Sequence, residues 1–568
     1  MSPTADAHTI GSNSGIRMQN QFVRELSTVT SKLPTAFMSD LIHQFIAEQA
    51  ALAPDATALL FKDQAYSYSE LQAGVTAAAN GLLALGVNCA ERVAVYLPKQ
   101  PETLFGLFGA AAAGACFVPV NPLLKPRQVA YILAHCNVRV LITSSQRLKQ
   151  LEEVLGDCKD LATIVVVEQQ APPAAGRQAV LSYPDFTAGR CAVPPHRRID
   201  TDMAAILYTS GSTGNPKGVV LSHRNMVAGA RSVASYLGNT SQDRVLAVLP
   251  LSFDAGLSQL TTAFSVGASV VLMDYLLPRD VIRAVAQYGV TGLGAVPPLW
   301  NQLVGLDWPP QAMASLRYIT NTGGAMPVPT TRALQRALPD TRIFLMYGLT
   351  EAFRSTYLPP DQVDTRPESM GKAIPNAEIL VVGQDGKECA PGEPGELVHR
   401  GALVSLGYWN DPEKTAERFK PAPGRPPEIP TTELAVWSGD QVMKDEQGYL
   451  YFISRKDEMI KTSGYRVSPT EVEEVAYTSG LVAGAVALGL RHDTLGQAIA
   501  LVVSHHGTAP DLEQVREQLL AHCRRELPNF MVPQAVIVRD NLPHNQNGKI
   551  DRRALADEYS TIFQDESH

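Results

Sequence analysis

The chain has 568 residues, of which 45% are hydrophobic and 18% charged, a composition typical of a large globular protein and unlike that of a disordered chain or a small disulfide-stapled domain. At about 150 residues per domain, this length predicts three or four compact units. The 48 Lys and Arg against 56 Asp and Glu give a net charge of −8, which provides no general electrostatic reason to bind nucleic acid or anionic membranes.

The first 35 residues are polar and lack the apolar run of a secretory signal, so we expect a mobile tail on a cytoplasmic protein. The seven cysteines agree with that location, because they form no Cys-x-x-Cys pair and reduced, mostly buried thiols are the simplest interpretation. The uncharged stretch Leu104 to Val120 is short and rich in Gly and Ala. It favours a buried helix followed by a buried strand over a membrane span.

From about Met38, helical and strand-like segments alternate. SDLIHQFIAEQA predicts a helix with Ser39 and Asp40 as cap candidates, and PETLFGLFGAAAAGA predicts a helix that opens on Pro101. Short strands rich in Val and Ile are predicted at ERVAVYLP, CFVPV, VRVLITS and ATIVVVE. A second series between about 240 and 345 comprises RVLAVLP, ASVVLMD, GLGAVPP, LRYITNTGG and RIFLMYG. This order indicates an α/β fold with mostly parallel sheets between helices.

After about Ser369 the pattern changes to short strands separated by turns. AEILVVG, GELVHRG and LAVWSGDQVM predict a small antiparallel sheet or β-barrel over about 370–453. A capping box of Ser468 and Glu471, with Pro469 between them and Gly480 as a stop, then begins a separate α+β unit. We therefore expect a large N-terminal domain over 36–453 and a smaller, mobile C-terminal domain over 454–568.

The segment from Tyr208 to Gly218, YTSGSTGNPKG, follows the apolar strand AAIL and has the composition of a phosphate-binding loop. Glycines let backbone N–H groups turn toward an anion, hydroxyls add donors and Lys217 adds positive charge. The segment does not fit the register G-x-x-x-x-G-K-[ST], and a flexible Gly/Ser turn is the alternative. The Pro-Lys-Gly ending favours the phosphate interpretation.

YTSGSTGNPKG resembles the signature of the adenylate-forming superfamily, which includes acyl-CoA synthetases, non-ribosomal peptide adenylation domains and luciferases. Four further segments match motifs of that superfamily in the expected order: MYGLTEA, WSGD, ISRKDEMIKTSGYRVSPTEVE and LPHNQNGKID. The resemblance spans about 40 to 560 and implies an AMP-forming ligase that uses ATP and Mg²⁺. It also implies that the small domain adopts one orientation for adenylation and another for thioester formation.

The resemblance assigns roles to individual residues. Lys549 would bridge the substrate carboxylate and the α-phosphate, two anions that repel each other until a cation lies between them. Thr350 would donate to the phosphate and Glu351 would ligate Mg²⁺. Tyr347 would stack on adenine, and Asp440 would hold the ribose hydroxyls. Each of these residues also has an alternative without a functional role. These alternatives are a surface lysine in a turn for Lys549, an ordinary helix start for Thr350 and Glu351, a core aromatic residue for Tyr347 and a turn aspartate for Asp440.

The same resemblance implies further nucleotide contacts. They lie in the segment YTSGSTGNPKG, at the end of strand LRYITNTGG, and in the motifs MYGLTEA and ISRKDEMIKTSGYRVSPTEVE. They are expected from Thr209, Ser210, Gly211, Ser212, Thr213, Gly214, Lys217, Gly323, Gly324, Ala325, Gly348 and Arg455. Asp457 would be the interdomain hinge, for which a solvated charge run is the alternative. Gly464 would lie on the face that the small domain presents to the incoming thiol.

The substrate acid is less clearly indicated. Asp254 lies where amino-acid-activating relatives place the carboxylate that pairs with the substrate α-ammonium, although it could instead cap a helix beginning at Ala255. By resemblance the pocket wall also includes Ala255, Ser258, Thr320, Thr322, Met346, Arg354 and Ser355. These residues are mostly small or polar, which fits glycine, alanine or proline better than a long fatty chain. Arg354 is discordant and indicates an acidic or polar substrate, or a side chain that points away.

These features predict that a small amino acid is activated as its acyl-AMP, with release of pyrophosphate, and passed to the phosphopantetheine thiol of a carrier protein, as in secondary metabolite biosynthesis. No carrier attachment pattern D/G-x-x-S within a helical module follows the small domain, so we expect the carrier in trans. The alternatives are an acyl- or aryl-CoA ligase using free CoA, a catalytically silent nucleotide-binding relative, and a kinase, which would release ADP. The intact Lys217, Glu351, Asp440 and Lys549 argue against a silent relative.

Overall fold

The computed structural model describes residues 39–173, 176–189, 194–209, 216–455, 459–505, 512–543 and 550–564, without the side chains of residues 454, 455 and 505. The expected tail over 1–35, the loop residues Ser210 to Gly214, the hinge Asp457 and Lys549 lie outside the described residues. From Asp40 onward the chain forms one compact unit.

The first sheet contains the predicted strands of the N-terminal third of the chain. Its spatial order is Ala179–Ser182, Thr163–Val166, Val138–Thr143, Arg92–Val95, Cys116–Pro119, Met203–Thr209 and Lys217–Ser222. Neighbouring strands are parallel except for the last pair, a hairpin in which Thr209 lies opposite Lys217. Parallel neighbours require crossover connections, and helices such as Pro101–Ala113 and Ser145–Leu151 supply several of them. The α/β prediction is therefore confirmed for this part of the chain.

The second sheet joins the second predicted series to the antiparallel strands that follow it. Its order is Ala377–Val382, Gly395–Gly401, Leu434–Lys444, Leu450–Arg455, Ser369–Ala373, Thr356–Leu358, Arg342–Tyr347, Tyr318–Asn321, Gly292–Ala295, Arg244–Ala247, Ser269–Leu272, Thr57–Phe61 and Gln64–Ser67, with Phe419–Pro421 added beside Leu434–Lys444. The strands from Arg342–Tyr347 to Thr57–Phe61 are parallel neighbours. The strands from Thr356 to Arg455 pair antiparallel.

The predicted small antiparallel sheet or barrel is thus not separate within the described ranges. Its strands form an open path that continues the parallel sheet through Thr356–Leu358 and Ser369–Ala373. The physical reason is that Arg342–Tyr347 would otherwise end the parallel sheet with an unpaired edge, and Thr356–Leu358 supplies the missing hydrogen bonds.

The third sheet belongs to the C-terminal part of the chain. Its order is Tyr465–Val467, Ile460–Thr462, Gly496–His505 and Val482–His492, all antiparallel, with Ala535–Arg539 parallel to Gly496–His505. Its hydrophobic clusters draw only on residues from Ile460 onward, as expected for an α+β unit with its own core. The mixed α/β class, with a large N-terminal part and a smaller C-terminal one, is confirmed. The predicted boundary between residues 453 and 454 stays a prediction.

Helices cover the sheets and connect their strands. They are Gln44–Leu52, Tyr68–Ala84, Pro101–Ala113, Pro126–His135, Ser145–Leu151, Tyr183–Ala188, His223–Leu237, Asp254–Ser265, Pro278–Tyr288, Pro297–Leu303, Pro310–Ser315, Val328–Ala337, Pro412–Arg418, Pro469–Thr478, Leu512–Glu526 and Arg552–Glu558, with short 3₁₀ turns at Leu155–Asp157, Thr350–Ala352, Pro360–Gln362 and Asn529–Met531. Pro101–Ala113 runs into the buried strand Cys116–Pro119 as predicted. Within the described ranges, every helix is too short or too polar to cross a bilayer.

The start of the first helix differs from its prediction. The helix runs Gln44–Leu52 with His43 at the N-cap position, several residues after the predicted Ser39 and Asp40. The Gln44 side chain accepts hydrogen bonds from the backbone N–H groups of Asp40 and Leu41, at 2.9 and 3.0 Å. This side chain satisfies donors ahead of the helix, so the preceding residues form a turn and not a cap.

The predicted capping box of the first C-terminal helix is also wrong. Pro469–Thr478 does have Ser468 at its N-cap position and Pro469 as its first residue, but the Ser468 side chain makes no cap hydrogen bond. Glu471 instead accepts a 2.8 Å hydrogen bond from Gln128 on helix Pro126–His135. A tertiary partner has therefore replaced the local one.

Candidate active site

The predicted functional residues gather at the carboxyl ends of parallel strands in the second sheet. Thr322, Gly323 and Gly324 follow strand Tyr318–Asn321, while Gly348 to Glu351 follow strand Arg342–Tyr347. Asp254 follows strand Arg244–Ala247 and begins the helix Asp254–Ser265. In open α/β sheets this edge is where ligands bind, because loops and helix starts converge there.

The residues expected to hold adenine and ribose lie in direct contact. The Tyr347 hydroxyl donates a hydrogen bond to Oδ2 of Asp440, although 93 residues separate them in the chain. Asp440 is only 1% exposed, and its backbone N–H donates to Oγ of Ser438 at 3.1 Å. On the neighbouring strand, the backbone of Arg455 lies opposite Asp440. A half-buried phenol ring beside a fixed carboxylate can offer a stacking face and an acceptor for two hydroxyls.

The glycine pair at the end of strand Tyr318–Asn321 approaches a neighbouring helix closely. Gly323 has φ of +78°, and a Cβ there would lie 3.2 Å from Cγ1 of Val296. A Cβ on Gly324 would lie 3.2 Å from Pro297, and Asn321 fixes this turn by donating from Nδ2 to the Gly324 carbonyl at 2.9 Å. Glycine therefore keeps this strand end open at the backbone, as the adenine assignment of Gly323, Gly324 and Ala325 requires.

Glu351 and Lys217 share one aromatic neighbour, Tyr408. The Tyr408 hydroxyl donates to Oε1 of Glu351 at 2.7 Å, and Nζ of Lys217 lies 5.2 Å from the centre of the Tyr408 ring. The backbone N–H of Ser405 donates to the Glu351 carbonyl at 2.8 Å. The structure thus joins the lysine of the phosphate loop to the proposed metal ligand, and Tyr408, which the sequence analysis did not single out, connects them.

The electrostatics of this region suit an anion beside an ionised carboxylate. Burial alone would raise the pKa of Glu351, but the Arg466 guanidinium and the bond from Tyr408 hold that pKa below its usual value. Burial and the nearby Lys414 and Arg418 lower the pKa of Lys217. Cations that crowd one another in this way favour an added anion such as a phosphate.

The family resemblance implies Mg²⁺, and the donor set is compatible with it. Glu351 is held ionised, as a metal ligand must be. Across the described ranges there is no cluster of three or more His, Cys, Asp and Glu side chains that could hold a metal by itself. Mg²⁺ prefers one or two carboxylates together with substrate phosphate oxygens and water. Glu351 is the residue that would contribute the carboxylate.

A pocket opens beside Asp254 and contains most of the predicted acid-binding residues. Its empty space, including the open mouth, is about 430 Å³. Six of the eight predicted residues line it: Ala255, Ser258, Thr320, Thr322, Met346 and Arg354. The wall is mixed, because Ser258, Thr262 and Thr320 line the pocket together with apolar residues. A pocket of this kind can hold a small acid with some polar character.

Asp254 has protein partners on both carboxylate oxygens. Thr350 donates from Oγ1 to Oδ1 at 3.2 Å, and Nη1 of Arg354 lies 3.4 Å from Oδ2. The helix begins at Asp254 itself with Phe253 as N-cap and no side-chain cap hydrogen bond, so the capping alternative is wrong. Burial raises the pKa of Asp254, although Arg354 and Thr350 stabilise its charged form.

Ser355 lies apart from the pocket that the sequence predicted it to line. It is fully buried, and its Oγ hydrogen-bonds Nδ1 of His399 at 2.9 Å. Burial lowers the pKa of His399 to about 3, so this histidine is neutral in the folded protein. The physical reason for the error is the period of two along an extended chain, which turns Ser355 away from the face that Arg354 shares with the pocket.

Other pocket residues were missed from the sequence. Gly292 and Gly294 line the pocket from strand Gly292–Ala295, opposite Tyr318 and Thr320 of the next strand. A Cβ on Gly294 would lie 2.7 Å from Oγ1 of Thr320. The sequence did contain a signal for this part of the pocket. The two glycines of GLGAVPP are two residues apart, so they share one face of the strand and leave space beside it.

The C-terminal part contacts the site through Gly464 and its neighbour. Gly464 has φ of +81°, and a Cβ there would lie 2.8 Å from Cγ2 of Val296, the residue that also borders Gly323. Tyr465 packs its ring edge-on against Phe253 at 5.4 Å and stacks on Phe530 at 3.8 Å. The loop predicted to face the thiol therefore lies against the edge of the site.

Family models match most of the chain. Residues 46–409 match the model described as AMP-binding enzyme, and residues 471–549 match the AMP-binding enzyme C-terminal domain. The L-proline--[L-prolyl-carrier protein] ligase of Streptomyces coelicolor is 33% identical over 86% of this chain and 91% of its own length. The long-chain-fatty-acid--CoA ligase of Escherichia coli O157:H7 is 31% identical over 84% and 86%. Tyrocidine synthase 3 of Brevibacillus parabrevis is 29% identical over 90% of this chain, which spans only 8% of that much longer protein.

Solved structures agree with these matches. The o-succinylbenzoate CoA synthetase of Bacillus subtilis superposes with a TM-score of 0.77 at 26% identity, covering 90% of this chain and 98% of that one. The amide bond synthetase McbA of Marinactinospora thermotolerans has the same fold, with a TM-score of 0.78 at 22% identity and coverage of 91% and 99%. The chain belongs to the AMP-binding enzyme family, the adenylate-forming ligases that its five ordered motifs resemble.

Proposed function

We propose that this protein activates a small carboxylic acid, specifically an amino acid, as its acyl-AMP. It then transfers the acyl group to a phosphopantetheine thiol on a separate carrier protein. One observation carries the proposal. Side chains from five separate segments of the chain come together, through the pairs Tyr347–Asp440 and Thr350–Asp254 and the Lys217–Tyr408–Glu351 cluster. ATP, the acid and a metal ion would meet among these side chains.

The chemistry requires two anions to approach each other. A carboxylate is inert toward a thiol until its oxygen is joined to a good leaving group, and AMP is such a group. The carboxylate must attack the α-phosphorus while pyrophosphate departs, so positive charge must surround the phosphates. Lys217 lies in a region rich in other cations, and Lys549 is the residue proposed to lie between the two reacting anions. Mg²⁺ bound through Glu351 would neutralise charge on the departing pyrophosphate.

The amino acid assignment rests on Asp254. A buried carboxylate whose pKa is raised by burial gains from a positively charged partner, and a substrate α-ammonium can supply one. Small and hydroxyl-bearing residues of the pocket wall support a compact substrate over a long fatty chain. The likeness to a proline-activating ligase over 91% of that protein's length supports both the amino acid and the carrier protein.

An acyl- or aryl-CoA ligase is the second candidate, and one feature of the site favours it. Asp254 already has a cationic partner in Arg354 and therefore does not strictly require an amine. The 31% identity to a fatty-acid--CoA ligase supports the same alternative. In either case the free thiols of the cysteines in the described ranges agree with a reaction in the reducing cytoplasm.

An ATP–pyrophosphate exchange assay over a panel of amino acids and non-amino carboxylic acids tests the proposal. We expect exchange with an amino acid, and mass spectrometry should then detect the thioester on a phosphopantetheinylated carrier protein. Exchange with non-amino acids only, followed by thioester formation on free CoA, would select the CoA ligase. Lys549→Ala should abolish exchange while leaving the melting temperature unchanged, and exchange at the wild-type rate in that variant would remove the role proposed for Lys549.

A further inference from the structure

The Arg354 guanidinium is nearly enclosed at the pocket, and its hydrogen bonds are incomplete. The side chain is 5% exposed. Both of its hydrogen-bond contacts belong to Nη1, which lies 3.4 Å from Oδ2 of Asp254 and 3.5 Å from Oγ1 of Thr322. Nε is buried, and within the part of the chain that the structure describes it has no hydrogen-bond partner. Nη2 likewise makes no hydrogen bond to a described residue.

A structural ion pair with Asp254 does not account for this arrangement. Arginine has five N–H donors, and buried donors are normally satisfied, those of a charged group most of all. The two contacts of Nη1 are longer than the roughly 2.8 Å of a strong charge-assisted hydrogen bond. A side chain present only to neutralise Asp254 would turn an edge toward it, whereas here the Nε–Nη2 edge is left without an acceptor.

We propose that the Nε–Nη2 edge of Arg354 binds a second carboxylate of the substrate, so that the pocket selects acids with a carboxylate a few bonds away from the one that reacts. This inference rests on the proposed function and names the class of acid that it uses. The planar edge of a guanidinium presents two parallel donors that match the two oxygens of a carboxylate. Nη1 can meanwhile keep its contact with Asp254.

The position of Arg354 limits the distance between the two carboxylates. Arg354 and Thr350 contact the two oxygens of the same carboxylate, that of Asp254, and Thr350 is assigned to the phosphate side of the site. The second carboxylate would therefore bind near the reacting end of the acid. The apolar residues Val233, Leu237 and Val245 also line the pocket and can contact any remaining hydrocarbon.

An α-ammonium group is compatible with this class of acid. A substrate such as aspartate would place its ammonium beside Asp254 and its second carboxylate on Arg354, so that each buried charge gains a partner. Alanine or proline would compete with Arg354 for Asp254 and leave the guanidinium with fewer acceptors than before. Such uncompensated burial is costly, which makes the simple amino acids poorer substrates than the sequence alone suggested.

Matched acids that differ only in the second carboxylate provide the test. The pairs are aspartate with asparagine and succinate with succinamate, each compared by kcat/KM for pyrophosphate exchange in the full-length protein. A site built to bind a charged group rejects an analogue without it by a large factor. We expect the dicarboxylic member of at least one pair to be favoured about 100-fold or more.

Two variants assign that preference to Arg354. Arg354→Met should reduce the preference to within about 3-fold, since the two donors to the second carboxylate are lost. Because this change leaves Asp254 buried without its cation, the double variant Arg354→Met with Asp254→Asn removes both charges and keeps the shape of the pair. Arg224→Met is the matched control, an arginine half-exposed on the surface whose Nε lies 2.6 Å from Asp200.

The outcomes separate the inference from the proposed function. A dicarboxylic preference that the double variant loses and Arg224→Met retains supports the inference. If the amides, alanine, proline or fatty acids are used equally well or better, or if the preference survives in the double variant, the inference is overturned while acid activation stands. If no acid in a broad panel supports exchange, the proposed function fails and the inference fails with it.

Discussion

Tyr408 contacts the two charged groups on which phosphate and metal chemistry would depend. Its hydroxyl donates to Glu351 and its ring faces Lys217. Tyr408→Phe keeps the ring and removes only the hydroxyl. A hydrogen bond to a charged group contributes about 1.5–3 kcal/mol, so the pKa of Glu351 should rise and its metal affinity should fall. We expect kcat/KM for MgATP to fall by about 10-fold or more, with the acidic limb of the pH–rate profile shifted to higher pH.

The direction of that pH shift is the informative part of the experiment. Glu351 must be ionised to bind a cation, and the wild-type protein holds its pKa low. Loss of the hydroxyl donor raises the pKa of Glu351. As the solution is acidified, Glu351 is therefore protonated at a higher pH than in the wild type, and activity is lost at that higher pH. Tyr288→Phe, which removes a hydroxyl that donates to the Lys62 carbonyl at 3.0 Å, serves as the control for loss of a tyrosine hydroxyl. An unchanged acidic limb in Tyr408→Phe would contradict the role of Tyr408.

Tyr347 provides a second prediction about a single hydroxyl. Tyr347→Phe preserves the aromatic face but removes the hydrogen bond to Asp440. If Asp440 binds the ribose hydroxyls and the ring stacks on the base, KM for ATP should rise by about 10-fold while KM for the acid changes little. Measurement of both constants in the exchange assay distinguishes this from general damage to the site. A rise confined to the acid would place Tyr347 at the acid pocket and not at the nucleotide.

Individual residues were predictable where a motif fixed both their type and their position. Thr350, Glu351 and Tyr347 share one short segment, and the structure brings them to Asp254, Tyr408 and Asp440. Tyr408 itself and Arg466 were not predicted, because their importance arises only from the approach of segments distant in the chain. Ser355 is the opposite case, a residue that was predicted to line the pocket and does not. Its neighbour Arg354 lines the pocket, while the Ser355 side chain hydrogen-bonds His399.

At the level of elements, the helix Pro469–Thr478 carries a titratable contact with helix Pro126–His135. Glu471 accepts a hydrogen bond from Gln128, and burial raises the pKa of Glu471 from 4.5 to about 7. With the helices in contact, the carboxyl therefore keeps a proton that it would lose if they separated. The stability of the contact is greatest below pH 4.5, falls as pH rises between 4.5 and about 7, and is constant above that range.

Glu471→Gln should remove this dependence and strengthen the contact at neutral pH, because an amide stays uncharged when buried. Fluorophores on the exposed faces of Leu512–Glu526 and Pro278–Tyr288 would report the distance between the two parts by energy transfer from pH 5 to 8. We expect the wild type to separate progressively up to about pH 7 and the variant to show a flat profile. Glu517→Gln, which removes an exposed carboxyl of helix Leu512–Glu526, is the control and should behave like the wild type.

Elements were predicted well where period and composition agreed, and caps less well. The strands Arg92–Val95, Tyr318–Asn321 and Arg342–Tyr347 lie where apolar runs were read from the sequence. The capping box at Ser468 failed because Glu471 found a tertiary partner, and no local rule contains Gln128. The antiparallel strands were recognised as strands, but their continuity with the parallel sheet depends on pairing through Thr356–Leu358, which is too short to predict from a pattern.

On the scale of the whole molecule, the contact between Gly464 and Val296 connects the two parts of the chain at the active site. A side chain at Gly464 would be strained by its φ of +81° and would also collide with Val296. If this arrangement serves thiol transfer, Gly464→Ala should leave pyrophosphate exchange near the wild-type rate. The thioester-forming rate should fall by about 100-fold, since displacement of a reacting group by about 1 Å is enough to cause such a loss.

The chain contains its own control for backbone strain. Gly480 also has a positive φ, +70°, and lies in the same C-terminal part, but no atom would lie within 4 Å of an added Cβ. Gly480→Ala therefore imposes a similar conformational penalty without the collision, and both rates should stay near those of the wild type. If Gly480→Ala impairs thioester formation as much as Gly464→Ala, strain in the small domain is responsible. If Gly464→Ala slows exchange and transfer equally, the contact serves the first half-reaction as well. Only a loss confined to transfer indicates that the two half-reactions use different arrangements of the domains.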